Sequence, residues 1–291
     1  MKLFLTGGTG FLGSYFLAAA LSSGHDVCAL RRSCNSLPVI PLAFEPEWYF
    51  GNLATIPSSI LEGVDAVVHL ASVGVSPRRV PWNVLLEANV IGSLRLFELA
   101  EAVGVRRFVV AGTCHEYGQS ARRYTEIPPD APLEPTSVYG ASKVAMYHLL
   151  RAFAIDCQLE FFYGRIFTAY GEGQFFGNFW PSLRRAALAG EDFPMTLGNQ
   201  VTDFVHASVV ATHLLEACSR QDVMPAVPFI TNIGSGIATS LRAFAEQEWS
   251  RMGASGRLLL GSLPDRSDQM DRCVPDLRGL FMHRPNLGRT K

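Results

Sequence analysis

Three residues of this 291-residue chain could move a proton to or from a substrate. Two of them, Tyr139 and Lys143, stand four positions apart in "TSVYGASKVAMYHLL", which has the apolar spacing of a helix. On a helix this spacing puts the phenol and the ammonium on one face, where the cation can lower the pKa of the phenol and let it exchange a proton near neutral pH. Such a pair is more often a solvated helix face, so its interpretation depends on its neighbours.

The third residue is Thr113 in "VVAGTCHEYG". It ends a predicted buried strand, and open α/β sheets bind their ligands at the carboxyl ends of the strands. The Thr113 hydroxyl could donate to a substrate carbonyl, whereas without the other motifs it would simply cap a turn. His115 is a fourth candidate, because an imidazole with a pKa of about 6.5 suits acid/base chemistry. A histidine hydrogen-bonded beneath a substrate loop is an equally good interpretation.

A glycine-rich turn, "LTGGTGFLG", follows the first predicted strand and opens the first predicted helix. Gly7 permits a tight turn, Gly10 lets the backbone approach a pyrophosphate, and Gly13 lets the helix pack close to the strand. The amide groups at the start of that helix, on Phe11 and Leu12, then face the anion. The strand before it and the helix after it favour dinucleotide binding over an incidental glycine-rich turn.

Two adjacent arginines, Arg31 and Arg32, end the second predicted strand, about twenty residues after that turn. An acid at this position binds the ribose hydroxyls of adenosine and selects NAD, whereas an arginine pairs with a 2′-phosphate. We therefore predict NADP(H) as the favoured cofactor, with NAD(H) as the other possibility. Because NADPH generally serves as a dissociable reductant, the arginines also favour net reduction. The alternative is that they only solvate a strand end.

Short β-branched or aromatic runs alternate with helical patterns up to about residue 165. This alternation predicts an α/β fold with a doubly wound parallel sheet of the Rossmann type, and the Gly- and Pro-rich segments that follow predict a smaller, discontinuous substrate-binding lid. We assign residues 1–167 to the dinucleotide-binding domain, to which 203–235 return, and residues 168–202 and 236–291 to the substrate-binding region. The predicted strands are 2–6, 26–30, 66–70, 107–112, 158–166 and 228–233, and the predicted helices are 11–23, 83–103, 139–154 and 205–217.

Composition narrows the class of partner. Basic and acidic side chains number 25 and 26, for a formal charge of −1, so no overall field would attract nucleic acid or a membrane surface. Six cysteines without paired or metal-ligand spacing predict reduced thiols and no metal site. We expect no signal peptide and no membrane span, because a strand is predicted from residue 2 and no apolar run approaches about 18 residues. A cytoplasmic protein with a small polar ligand is predicted.

The chain resembles the extended short-chain dehydrogenases/reductases, which include nucleotide-sugar epimerases, dehydratases and 4-ketoreductases. The resemblance rests on "TGGTGFLG", "GNL", "VVHLAS", Asn89, Thr113, "YGASK", "GRIFTAYGEGQ", "TDFVHAS" and "NIGSG". It implies a catalytic triad of Thr113, Tyr139 and Lys143, with Lys143 also on the nicotinamide ribose, and a homodimer that pairs the Tyr139 helix with its copy. With Asn52 and Leu53 implied beside the adenine, the predicted cofactor site comprises Gly7, Gly10, Phe11, Leu12, Gly13, Arg31, Arg32, Asn52, Leu53, Leu70, Ala71, Tyr139 and Lys143.

Departures from the family pattern concern the substrate. Cys114 and His115 replace the Asp-Glu pair of the dehydratases, which argues against elimination of water. Relatives carry Asn and Arg facing the substrate diphosphate where this chain has threonine. A nucleotide sugar with a rebuilt phosphate site is therefore predicted, and the chain end soon after Asn286 predicts a shortened lid. The predicted substrate-binding residues are Thr168, Arg184, Arg185, Thr202 and Arg266, of which Arg266 matches a diphosphate-binding arginine.

We expect NADPH-dependent reduction of a nucleotide-linked 4-keto sugar by hydride transfer. Tyr139 would protonate the carbonyl oxygen, Lys143 would keep the phenol acidic, and Thr113 would bind the developing oxyanion. The alternative is an NAD-dependent nucleotide-sugar 4-epimerase that uses the same three residues. A dinucleotide-sensing regulator is a third possibility, but such a regulator can dispense with the Tyr/Lys pair that this chain retains.

Overall fold

The computed structural model describes residues 1–75, 79–264 and 270–280. Its strands are β1 (Lys2–Thr6), β2 (Asp26–Arg31), β3 (Glu47–Phe50), β4 (Ala66–His69), β5 (Arg107–Thr113), β6 (Glu160–Ile166), β7 (Thr168–Tyr170), β8 (Phe193–Met195), β9 (Val201–His206), β10 (Phe229–Ile233), β11 (Ala238–Ser240), β12 (Leu258–Leu260) and β13 (Arg272–Cys273). Its α-helices are α1 (Phe11–Ser22), α2 (Trp82–Leu86), α3 (Gly92–Ala102), α4 (Val138–Asp156), α5 (Phe179–Ala189), α6 (Ala207–Ala217) and α7 (Leu241–Arg251).

Seven strands form one sheet in the order β10-β6-β5-β4-β1-β2-β3, and every neighbouring pair is parallel. The chain winds outward in both directions from β1, with β2 on one side and β4 on the other. The predicted doubly wound Rossmann-type sheet is thereby confirmed. In such sheets ligands bind beyond the carboxyl ends of the strands where the winding reverses, here between β1 and β4.

Helices cover both faces of this sheet, which is why its strands are apolar on both sides. Leu3 and Leu5 point to the face covered by α1 and α6, whereas Phe4 points to the face covered by α3 and α4. All three side chains are fully buried. The alternation follows from the two-residue period of a strand, and it anchors β1 firmly beneath the glycine-rich turn.

A smaller set of strands lies outside the main sheet. The strand β9 pairs with β7, β11 and β13, and β8 pairs with β12. Helices α5 and α7 share an apolar cluster with these strands that includes Leu183, Met195 and Trp249. Like the predicted lid, this part is smaller than the main sheet and is built from separate segments of the chain. The residue boundaries between the two regions stay a prediction. No helix in the described part of the chain is long and apolar enough to cross a membrane.

Four differences from the predicted elements concern the main sheet and the helices that cover it. The short edge strand β3 was not predicted. The strand predicted from residue 158 begins at Glu160, because Gln158 has a left-handed backbone with φ 52°. The single helix predicted over 83–103 is divided into α2 and α3 by a π-helical turn, Glu87–Ile91. The helix predicted from residue 205 begins at Ala207, where the His206 side chain accepts the Ser208 N–H as a cap and β9 ends.

Candidate active site

The glycine-rich turn between β1 and α1 is shaped to receive an anion. Gly7 has φ +79°, and its carbonyl accepts the Gly10 N–H at 2.9 Å. A Cβ on Gly13 would lie only 2.0 Å from the Gly7 oxygen, so any other residue would push α1 away. No side chain of the described residues caps α1, and its first turn has no acid, so the N–H groups at Phe11 and Leu12 are available to a pyrophosphate.

The loop after β4 packs directly on this turn. The Leu70 N–H donates to the Thr6 carbonyl at 3.2 Å, and the Ala71 N–H donates to Thr6 Oγ1 at the same distance. A Cβ on Gly7 would lie 2.8 Å from the Ala71 nitrogen. The structure therefore brings Leu70 and Ala71 to the glycine-rich turn, as the predicted cofactor site requires.

Arg31 is the last residue of β2, the strand next to β1, and Arg32 follows it at the carboxyl edge of the sheet. The Arg31 guanidinium carbon lies 4.7 Å from the Trp48 ring centre and 4.6 Å from that of Phe50, both on β3. Its Nε is buried and has no hydrogen-bond partner among the described residues, and Arg32 is exposed. Within the same part of the chain neither arginine pairs with a carboxylate. Arg31 is thus held by cation–π packing, and no carboxylate of the described residues neutralises its charge.

Asn52 and Leu53 lie just beyond these arginines. They follow β3, and the Gly51 N–H joins this loop to the Arg31 carbonyl at 3.0 Å. The Asn52 side chain is exposed, and its Oδ1 accepts the Ala54 N–H at 2.9 Å. This position agrees with the implied adenine site, although the role of either residue stays a prediction.

Thr113 ends β5 and is almost fully buried. Its N–H donates to Glu116 Oε1 at 2.8 Å, and its Oγ1 accepts the His115 N–H at 3.3 Å. The residues Cys114–Glu116 form a single 3₁₀ turn closed by these two bonds. The backbone and the hydroxyl of Thr113 are therefore fixed before any substrate binds.

Tyr139 and Lys143 lie in the first turns of α4, whose start is capped by Ser137 Oγ on the Gly140 N–H at 3.1 Å. Burial raises the pKa of Tyr139 above its ordinary value, and hydrogen bonding with the Ser72 and Thr113 side chains opposes this rise. The expected lowering of the Tyr139 pKa by Lys143 is not found.

The position of the lysine explains this correction. Lys143 Nζ donates to the Ala111 carbonyl of β5 at 2.8 Å, so the ammonium is bound to the backbone. Burial lowers the pKa of Lys143 to about 8, while the carboxylate of Glu116 opposes that fall. Tyr139 and Lys143 therefore share a helix as their spacing predicts, but burial is the largest influence on the pKa of the phenol.

Two buried polar residues that support the site were not assigned a role from the sequence. Asn89, in the π-helical turn, donates from Nδ2 to the Val73 carbonyl and to Ser142 Oγ, each at 3.0 Å, and accepts the Val73 N–H at 2.9 Å. The Ser72 hydroxyl donates to Asn89 Oδ1 at 3.2 Å, so Asn89 ties the loop after β4 to α4 and holds Ser72 beside Tyr139. An asparagine within an apolar helical pattern was the available signal.

The second of these residues is His69 at the end of β4. Its Nδ1 lies 2.7 Å from Thr6 Oγ1 and its Nε2 lies 2.8 Å from Ser93 Oγ. Burial lowers the pKa of His69 to about 3, with a smaller contribution from the charge of Lys143. His69 is therefore neutral and joins β1, β4 and α3 by hydrogen bonds.

His115 is exposed, and its ring stands edge-on to that of Tyr139, with 6.2 Å between the ring centres. Its backbone packs against the start of α4, because a Cβ on Gly140 would lie 2.6 Å from the His115 oxygen. The structure thus brings His115 beside the phenol at a position open to solvent. An acid/base role for it stays a prediction.

The predicted substrate residues fall into separate groups. Thr168 and Thr202 contact each other through their hydroxyls at 2.9 Å, and Thr202 Oγ1 also donates to the Cys273 carbonyl at 3.1 Å. Arg184 and Arg185 line a different cavity of about 470 Å³, where Arg184 Nε pairs with Glu172 at 2.8 Å. Arg266 and Asn286 lie outside the described residues. A rebuilt phosphate site therefore stays a prediction.

The chain is similar to several known proteins. The profile of the NAD dependent epimerase/dehydratase family matches residues 3–234. The UDP-glucose 4-epimerase of Neisseria meningitidis serogroup B is 30% identical over 84% of this chain and 81% of its own length. The structure of MoeE5 in complex with UDP-glucose and NAD is 30% identical, with a TM-score of 0.81 over 96% of this chain and 91% of its own. The dTDP-glucose 4,6-dehydratase DesIV from Streptomyces venezuelae, with NAD bound, is 26% identical, with a TM-score of 0.78 over 99% of this chain and 93% of its own.

Proposed function

The chain belongs to the NAD-dependent epimerase/dehydratase family, and from that premise we propose that it is an NAD-dependent nucleotide-sugar 4-epimerase. The observation that carries the proposal is that the side chains of Thr113 and Tyr139 contact each other at the carboxyl edge of the sheet. The glycine-rich turn lies at the same edge. Epimerisation was the alternative to net reduction of a 4-keto sugar, and it agrees better with the similarity to a UDP-glucose 4-epimerase. The NAD bound by the related structures likewise gives no support to the predicted preference for NADP(H).

The residues present fit a nicotinamide dinucleotide. The uncapped start of α1 and the glycine cradle beside Gly7 would hold the pyrophosphate, Asn52 and Leu53 the adenine, and Lys143 the nicotinamide ribose. When bound, the nicotinamide supplies the hydride acceptor and donor that oxidation and re-reduction of a sugar carbon require.

Tyr139 is the proposed proton carrier. As a phenolate, Tyr139 takes the proton of the sugar 4-hydroxyl during oxidation, and as a phenol it returns that proton to the 4-oxo oxygen during reduction, so the side chain ends each cycle as it began. The raised pKa of Tyr139 favours the return of the proton. The raised pKa opposes removal of the proton, and hydrogen bonding of Tyr139 with the Ser72 side chain opposes that rise.

Thr113 is proposed to hold the reacting oxygen. With its N–H and one acceptor site of its hydroxyl already occupied, the remaining hydroxyl proton can be donated to the sugar oxygen. His115 is not needed for inversion at C4. An acid/base role for it would introduce solvent deuterium at a sugar carbon next to the ketone, and absence of this label would assign His115 to binding or structure.

Net reduction with NADPH stays the second candidate because Arg31 and Arg32 have no carboxylate partner among the described residues. We expect the double variant Arg31→Asp, Arg32→Ala to lower the affinity for NADP⁺ relative to NAD⁺ by at least about tenfold, since each charge-assisted hydrogen bond contributes about 1.5–3 kcal/mol before screening. Isothermal titration with both nucleotides measures the ratio, and Arg122→Ala, at an exposed site elsewhere, is the control.

The ratio of the wild-type affinities for NADP⁺ and NAD⁺ distinguishes the reductase from the epimerase. A wild type that prefers NADP⁺ and loses that preference in the double variant would favour the reductase. A ratio that the double variant leaves unchanged would show that the arginines do not bind a 2′-phosphate.

The proposed function is tested by incubation with UDP-glucose and no added nicotinamide nucleotide. We expect UDP-galactose to form, with NAD as the nucleotide released when the purified protein is denatured. A protein that forms no epimer of UDP-glucose or of other nucleotide hexoses, but oxidises NADPH in the presence of a nucleotide-linked 4-keto sugar, would contradict the proposal. A homodimer through α4 and a cytoplasmic location stay predictions of the resemblance and the composition.

A further inference from the structure

A buried ion pair lies next to Thr113 and takes no part in the mechanism above. The side chains of Glu116 and Arg165 are 0% and 1% exposed, and Arg165 Nε lies 2.7 Å from Glu116 Oε2. Two charges lose their hydration on burial, and a buried ion pair is often no more stabilising than apolar side chains of similar volume. Stability alone therefore does not account for these charges.

The Glu116 carboxylate is held by three donors. Its Oε1 accepts the Thr113 N–H and the Tyr163 hydroxyl, each at 2.8 Å, while its Oε2 accepts Arg165 Nε. Tyr163 and Arg165 are two residues apart on β6, so their side chains leave the same face of the strand. The carboxylate thereby bridges the carboxyl end of β5 and the neighbouring strand β6.

Arg165 is itself held in place. Its NH1 donates to the Pro129 carbonyl at 2.9 Å, and its guanidinium carbon lies 4.6 Å from the ring centre of Tyr147 and 5.2 Å from that of Tyr117. A guanidinium fixed by a carbonyl and by aromatic rings has little freedom to follow a moving carboxylate. The orientation of Glu116 is therefore set by its surroundings.

The contacts of Thr113 show what this orientation achieves. The Glu116 carboxylate occupies the Thr113 N–H, and the His115 N–H occupies one acceptor site on Thr113 Oγ1. Together they close the 3₁₀ turn and fix the Thr113 backbone at φ −147° and ψ 147°. The hydroxyl proton is left free to donate to a substrate.

The charge of Glu116 also acts on the other two proposed catalytic residues. It raises the pKa of Lys143 against the lowering caused by burial, and it contributes to the raised pKa of Tyr139. Both effects favour the protonated groups, an ammonium on Lys143 and a neutral phenol on Tyr139. The ammonium suits the ribose contact proposed for Lys143, whereas the neutral phenol favours only the return of the proton, so the case for Glu116 rests on its contact with Thr113.

We propose that Glu116 is a positioning residue for this reaction, whose buried carboxylate, held by Arg165 and Tyr163, fixes Thr113 so that the threonine hydroxyl donates to the sugar oxygen. The inference rests on the proposed role of Thr113. Glu116 does not contact the reacting atoms, and its proposed effect on turnover passes through the threonine.

Two matched variants isolate the hydrogen bond to the Thr113 N–H. Glu116→Met with Arg165→Met replaces the ion pair by apolar side chains and removes the acceptor. Glu116→Gln with Arg165→Met also removes the ion pair but keeps a carboxamide oxygen as acceptor. We expect kcat with UDP-glucose to be roughly 30-fold lower in the first variant than in the second, with KM within about threefold, since a misplaced oxyanion donor costs up to 10²–10³-fold in turnover.

The same pair of variants in a Thr113→Val background tests whether Glu116 acts through the threonine. There the difference in kcat should disappear, because coupled residues are not additive. Rates are expressed per folded molecule, from the near-UV circular dichroism of each variant. If the Met/Met variant does not fold, Glu116→Asp replaces it, because aspartate keeps the charge and draws the carboxylate oxygen back by one methylene. This change should lower kcat in the wild-type background and have no effect on kcat in the Thr113→Val background.

Each remaining outcome has a definite meaning. Equal kcat in the two matched variants, or a difference that persists with Thr113→Val, overturns the positioning role and leaves the proposed function intact. A Thr113→Val protein with the kcat of the wild type overturns the role of Thr113, and a wild type that epimerises no nucleotide sugar overturns the proposed function. The inference fails with either of these two.

Discussion

Replacement of Tyr139 with phenylalanine should lower turnover of the nucleotide sugar by about 10²- to 10⁴-fold, the range that a positioned acid/base group contributes. The phenylalanine keeps the ring against His115 but removes the only atom of this side chain that can carry a proton. Binding of the nicotinamide nucleotide should change by less than about threefold, because Lys143 and the glycine-rich turn are untouched. Steady-state kinetics, and a titration with NAD⁺ of protein from which the bound nucleotide has been removed, measure the two effects.

The control for this change is Tyr124→Phe, which removes a phenolic oxygen outside the site. It should leave turnover close to that of the wild type. If Tyr139→Phe retained the turnover of the wild type, Tyr139 would not be the proton carrier, and the triad would have to be reassigned.

Replacement of Gly13 with alanine should lower both stability and nucleotide affinity. The new Cβ would lie 2.0 Å from the oxygen and 2.6 Å from the carbonyl carbon of Gly7, and both are backbone atoms that cannot rotate aside. Overpacking of this kind costs about 1–3 kcal/mol or more. Because α1 must shift, its first N–H groups move from the anion site, and we expect the Kd for NAD⁺ to rise by about 100-fold or more. Thermal unfolding and calorimetric titration test both.

Gly10→Ala is the matched control for this prediction. The nearest atom to its added Cβ is the Gly7 oxygen at 3.2 Å, so the midpoint of thermal unfolding should change little. Affinity for NAD⁺ should still fall if the pyrophosphate approaches this backbone as predicted. A Gly13→Ala protein with the stability and the affinity of the wild type would contradict the proposed cofactor site.

The sequence predicted those parts of the fold that depend on local patterns. The strands of the first half of the chain are short, nearly continuous apolar runs that alternate with longer helical stretches, and the glycine-rich turn lies between β1 and α1. The edge strand β3 was missed because "EWYF" is only four residues long and follows a stretch with three prolines in place of a regular helix. The start of α6 was misplaced because β9 runs into it without an intervening loop.

Contacts between distant residues account for most of what was missed in the site. The hydrogen bonds of Asn89 span up to 53 positions, and the ion pair of Glu116 with Arg165 spans 49, so no local pattern reveals them. Burial of Tyr139 likewise depends on the loop after β4. The preference for reduction came from the two arginines alone, and the packing of Arg31 on Trp48 and Phe50 was not visible in the sequence.

Inversion at C4 by oxidation and re-reduction within one enclosed site is tested most directly with UDP-glucose that carries deuterium at C4. Without added nicotinamide nucleotide, the protein should convert it to UDP-galactose that retains the deuterium at C4, as measured by mass spectrometry and NMR. Loss of the deuterium to solvent, or no epimer from any nucleotide hexose under these conditions, would contradict a 4-epimerase that oxidises and re-reduces the same carbon.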